Sequence, residues 1–122
     1  MAISQDTAYS FGQLGSLFLD ASGAASPPTG KVFVAITFLA DTVFDADGGL
    51  VADTTSTASL GLEFAGTQAA AHNLGDGNET AISGSGGLQI DASNTFPKGV
   101  TIYGRYTEID LTSGMCIAYI GE

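Results

Sequence analysis

Residues 96–122, FPKGVTIYGRYTEIDLTSGMCIAYIGE, carry the clearest pattern in the chain and decide its fold class. Pro97 sets a turn and Gly99 releases the chain from it into VTIYGRYTEIDL, a run rich in β-branched and aromatic residues. Within that run Val100, Ile102 and Tyr106 share one parity, whereas Ile109 and Leu111 share the other. A one-residue bulge at Thr107 or Glu108 keeps both sets facing one core. The short TSG that follows, leading into MCIAYIG, predicts a hairpin between the two runs. Met115 to Ile120 is apolar in both parities, so this last strand needs cover on both faces, from its own fold or from a neighbouring subunit.

The same turn grammar stands upstream, in SPPTGKVFVAITFLAD: proline, glycine and lysine precede VFVAITFL, again apolar in both parities. Nothing else in the flanks aligns, so this is a shared turn and not an internal repeat. DADGG then breaks the chain, and GLVADTTSTASLGLEFAGT predicts two shorter strands around a Thr/Ser stretch. Residues 66–95 are the least patterned; Gln68 to His72 allows one helical turn, and the glycines after it mark loops. No apolar stripe of helical period extends past two turns. The expectation is an all-β, single-domain fold over residues 1–122, an antiparallel β-sandwich or jelly-roll-like barrel with long glycine-rich loops. Residues 1–24 form an N-terminal arm or an edge strand.

Composition narrows the partners. With 122 residues, 44% of them hydrophobic, the chain has the material for one buried core. Thirteen carboxylates face three Lys and Arg, a net charge of −10. Displacing counterions from a nucleic-acid backbone takes several cations, so nucleic acid is excluded as a partner, and an anionic membrane surface with it. Val32 to Ala40, the longest apolar run, is far short of the roughly 20 residues of a spanning helix. Cys116 is the sole cysteine, which leaves no intramolecular disulfide, and the first 24 residues lack a basic start and an unbroken apolar stretch. These features predict a protein made in a cytoplasm.

Catalytic patterns are weak. Nucleophilic catalysis needs a base, and His72 is the one histidine, with no G-x-S-x-G near it. Cys116 lies in an apolar strand, where a thiol is buried and inert. One His and one Cys cannot make a zinc site. DADGG resembles the start of a calcium loop, but the twelfth position from Asp45 is Ser56 and not glutamate, so a surface turn is the plainer reading. GDGNE reads the same way, and SGSGG lacks the Lys-Ser or Lys-Thr of a phosphate loop. The expectation is a protein that is not an enzyme and takes no cofactor.

Two blocks, FGQLGSLFLDASGAASPPTGKVFVAITFLADTVFD and TFPKGVTIYGRYTEIDLTSGMCIAYIGE, cover about half the chain and resemble small virion structural proteins of marine tailed bacteriophages, including those that infect cyanobacteria. NTFPKGVTIYGR together with IAYIG is the more specific part. The resemblance implies a capsid decoration or cement protein on the outer capsid surface, made in the host cytoplasm, with the major capsid protein and its own copies, as a homotrimer, for partners. A tail-fibre or host-glycan-binding β module is the alternative. A small glycoside-acting enzyme, with two carboxylates roughly 5–9 Å apart across a cleft, is a third.

On the adhesive reading, Lys98 and Arg105, two of the three cations, pair with acids of a neighbouring subunit, and Phe96, Tyr103 and Tyr106 supply stiff aromatic area. Tyr9, Phe11 and Phe18 form a second candidate contact. Equally open is that Lys98 and Arg105 pair with local carboxylates such as Glu108.

Overall fold

The structure, a computed structural model, describes residues 14–46, 48–53, 65–67 and 90–122. These are all-β, with no helix among them. The strands are β1 (Ser16–Asp20), β2 (Val32–Phe38), β3 (Val43–Phe44), β4 (Leu50–Ala52), β5 (Thr101–Ile109), β6 (Leu111–Ser113) and β7 (Met115–Gly121). They form an antiparallel five-stranded sheet of order β1-β7-β2-β5-β4 and a two-stranded sheet of β3 with β6. The N-terminal stretch contributes an edge strand, β1, whose residues lie within the 1–24 segment.

Both proline-glycine turns are built alike. Lys31 N donates to Pro28 O at 3.0 Å and Val100 N to Pro97 O at 3.3 Å, with Gly30 and Gly99 third in each turn at φ of 82° and 91°. Positive φ at that position is what glycine supplies without steric cost.

The bulge expected near Thr107 is present. Leu50 faces Ile109 and Val51 faces Glu108, yet Ala52 faces Tyr106, so Thr107 has no residue opposite it. The parity switch turns Ile102, Tyr106 and Ile109 toward one core. A second irregularity sits at Val34: Phe33 pairs with Ile120 and Ala35 with Tyr119, leaving Val34 as the extra residue against β7. Phe33, Ile36 and Phe38 therefore all reach the core cluster despite their differing parity, while Val32 and Ala35 are buried outside it. Gly121 lies against this bulge, where a Cβ would stand 2.5 Å from Val34 Cγ1.

The expected hairpin between β5 and β7 does not form. Both strands pair with β2, which lies between them, and Thr112 and Ser113 of the TSG stretch belong to β6, paired with β3. A strand apolar in both parities is best used at the sheet centre, with ladder partners on both sides, and β2 takes that place. Leu111 drops into the core, and Gly114 turns the chain into β7 at φ 100°, with room for no Cβ: Thr42 Oγ1 would lie at 2.4 Å. β7 is interior to the sheet, between β1 and β2, and turns Cys116, Ala118 and Ile120 into the core.

One core cluster draws on both sheets: Cys116, Ala118 and Ile120 from β7, Leu50 and Ala52 from β4, and Phe44 and Leu111 from the smaller sheet. Phe38, Phe44 and Phe96 pack with ring centroids 5.2–5.8 Å apart, two of the three pairs edge-on. The predicted helical turn at Gln68 to His72, the second short strand after Thr54, and the GDGNE and SGSGG loops lie outside the described residues.

Candidate functional site

Strand alternation assigns the side chains that face away from the core. β1 offers Ser16, Phe18 and Asp20; β7 offers Met115, Ile117 and Tyr119; β2 offers Ala35 and Thr37; β5 offers Thr101 and Tyr103. The register lines these up in rows, Phe18–Ile117–Thr37–Thr101 and Ser16–Tyr119–Ala35–Tyr103, with Asp20 beside Met115. Phe18 is 62% exposed, Tyr103 63% and Met115 39%. Thr37 and Thr101 satisfy each other across the strands, Oγ1 to Oγ1 at 2.8 Å. Among these ten side chains the only charge is Asp20. The β1-β7-β2 side of this face, with Thr101 and Tyr103 of β5, is thus apolar, aromatic and nearly uncharged in a chain of net charge −10, with Ala35 buried between the tyrosines. Further along β5 the same alternation turns Glu108, opposite Val51, to this side.

The sequence-predicted contact residues divide. Phe18 and Tyr103 stand on this face. Lys98 is exposed on its turn, and its backbone N donates to Asp41 Oδ1 at 3.0 Å. Phe96 is held in the phenylalanine trio and bridged to Thr42 by two backbone hydrogen bonds of 2.8 Å, so its ring serves the core. Tyr106 is 1% exposed and turns back over Gly104, where a Cβ would lie 2.6 Å from its Oη; the hydroxyl donates to Tyr103 O at 3.2 Å. Its ring is core, not contact surface, and burial pushes its hydroxyl pKa up to about 12. Tyr9 and Phe11 lie outside the described residues.

Arg105 takes the local alternative, with a different partner from Glu108. Its Nε lies 3.5 Å from Oδ2 of Asp53, a side chain only 3% exposed. The same two residues share a 2.7 Å backbone hydrogen bond, Asp53 N to Arg105 O. Lys31 approaches Glu122 at 4.0 Å, an exposed and weak pair.

The acidic turn after β3 packs against the end of β5. Asp45 N donates to Asp110 O at 3.0 Å, Asp110 N donates to Gly49 O at 2.8 Å, and Thr112 Oγ1 donates to Asp45. Desolvation first, then the nearby Asp45 and Glu108 charges, hold the Asp110 carboxyl above its usual range. Among the described residues no group of three or more His, Cys, Asp or Glu is placed to hold a metal ion. Cys116 is fully buried, its thiol pushed up to about 11 by burial.

Two matched turns went unread in the sequence. Asp20-Ala-Ser22 and Asp91-Ala-Ser93 each fold so that the serine N and Oγ both donate to the aspartate Oδ1, at 2.5–3.0 Å. The repeated DAS tripeptide was the available signal. Comparison with family models, curated proteins and solved structures finds no significant match.

Proposed function

We propose that this protein is a non-enzymatic virion component, a capsid decoration or cement protein that binds the major capsid protein on the outer shell surface. The observation that carries the reading is the open sheet face, where Tyr103, Tyr119, Ile117 and Met115 are presented without charge by a chain otherwise strongly acidic. An acidic body resists non-specific association, and an uncharged aromatic patch confines adhesion to one surface. The family resemblance of residues 11–45 and 95–122 supports the particle setting, and the jelly-roll or sandwich description belongs to the same proposal. Many symmetric copies, each binding modestly, would hold a shell together through avidity.

The test is the copy number of this chain per particle, relative to the major shell protein, by quantitative mass spectrometry of virions from the phage that encodes it. Hundreds of copies are expected. A handful would move the protein to the tail or fibres, and none would end the virion reading. On particles, Tyr103→Lys with Tyr119→Lys is expected to abolish binding while leaving the fold intact; retained binding would remove this face from the contact.

A further inference from the structure

We infer that β1 is a self-pairing edge, and that two copies of this chain join by antiparallel β1–β1 addition across a two-fold axis through Phe18. Among the described residues β1 is the outer strand of the five-stranded sheet and pairs on one side only, with β7. The hydrogen bond from Ile120 N to Gly15 O fixes the phase of that ladder. By antiparallel alternation, Leu17 and Leu19 turn their backbone groups to β7. The N–H and C=O groups of Ser16, Phe18 and Asp20 then point outward.

These three positions are symmetric about Phe18. With the axis there, Phe18 pairs with Phe18 of the second copy and Ser16 with its Asp20, so three outward donors and three outward acceptors per strand are satisfied by six backbone hydrogen bonds. The side chains agree with the backbone. On the core side Leu17 meets Leu19 of the other copy, as a close non-hydrogen-bonded pair. On the open side the two Phe18 rings meet, and each Asp20 carboxylate faces a serine hydroxyl. The two Asp20 side chains stand four residues apart along the ladder, roughly 13 Å at about 3.3 Å per residue, beyond the screening length near 8 Å in physiological salt.

Shifting the register by one residue would set outward groups opposite inward ones, and shifting it by two would strand an outward pair at each end. The edge also lacks the usual protections: Ser16–Asp20 has no lysine, no proline and no bulge. Phe18, 62% exposed, sits where the axis passes. Self-repulsion between two chains of −10 makes the association strengthen with added salt.

The experiment is the mass of the full chain by sedimentation, from micromolar to submillimolar concentration in physiological salt. The expected species is twice the 12.3 kDa monomer. Phe18→Pro removes an outward N–H and leaves the β7 ladder whole, because proline is tolerated where its nitrogen faces away from the sheet. It deletes the two central hydrogen bonds and is expected to weaken the dimer about thirtyfold, at roughly 1 kcal/mol per bond. Phe18→Cys with oxidised glutathione should give a crosslinked dimer, since hydrogen-bonded antiparallel pairs set Cα atoms about 5.5 Å apart, within disulfide reach. Ser16→Cys should not crosslink. A monomer at every concentration, a mass indifferent to Phe18→Pro, or equal crosslinking through Ser16→Cys would each overturn the proposal. None of these readouts involves a capsid, so the shell-binding reading stands or falls separately.

Discussion

Arg105 reaches across from β5 to Asp53, just past the end of β4, with Nε 3.5 Å from a carboxylate oxygen that is almost wholly withdrawn from water. The guanidinium retains 20% exposure, so the pair is only partly desolvated. Arg105→Leu is expected to destabilise the fold by about 1–3 kcal/mol, below the roughly 3–5 kcal/mol of a fully buried pair. Adding Asp53→Leu should recover part of that loss. Urea denaturation of the two variants measures both, and an Arg105→Leu protein as stable as the parent would show that the pair contributes nothing.

The glycines of the turns separate into two kinds. Gly114 needs both its positive φ and its missing side chain, because a Cβ would meet Asp41 O at 2.6 Å and Thr42 Oγ1 at 2.4 Å. Gly30 needs only its φ, since nothing lies within 4 Å. Gly30→Ala is expected to cost about 1 kcal/mol and Gly114→Ala about 3 kcal/mol or more. Thermal melts of the two variants should rank them in that order.

Phe96→Ala opens the contact among Phe38, Phe44 and Phe96. The expected cost is about 2–4 kcal/mol, reaching below the range of about 3–5 kcal/mol for a fully buried phenylalanine, because Phe96 is half-buried. Tyr103→Ala, on the open face, is expected to stay within about 0.5 kcal/mol. Equal losses from both variants would contradict the division into core ring and surface ring.

Cys116 is expected to resist thiol reagents in the native protein at pH 8, since burial removes access and raises its pKa to about 11. Denaturant should release one reactive thiol per chain. Native labelling at the rate of a free cysteine would place the β7 inner face in solvent.

The acid groups titrate in opposite senses. Hydrogen bonds from the Ser22 and Ser93 side chains and then their backbone N–H groups lower the Asp20 and Asp91 pKa values in the fold. Their contribution is present above the usual carboxylate range and lost as pH falls through the lowered values. Asp110, raised by desolvation and by Asp45 and Glu108, contributes at low pH and loses that contribution as pH rises through its raised value. Asp110→Asn is expected to raise the melting temperature at pH 7 and to have no benefit at pH 3. NMR titration should show Asp91 returning toward the ordinary carboxylate value in Ser93→Ala.

Local chemistry was legible wherever residues act on their near neighbours in sequence. The all-β class, the two proline-glycine turns, the bulge at Thr107 and the burial of Cys116 follow from β-branched runs, from glycine's access to positive φ and from a parity change between Ile102 and Ile109. Whatever depends on partners distant in the chain was decided by the tertiary structure. Parity says that Phe33 or Tyr106 faces inward or outward, but not which strand lies beside it, so β2 between β5 and β7 could not be told from a direct hairpin. Aromatic residues look alike in sequence whether they anchor an interface or fill a core. Packing alone turned Phe96 and Tyr106 inward and left Phe18 and Tyr103 in solvent. Arg105 likewise found Asp53, 52 positions away, because pairing of β4 with β5 brought the two together at a site nearly closed to water.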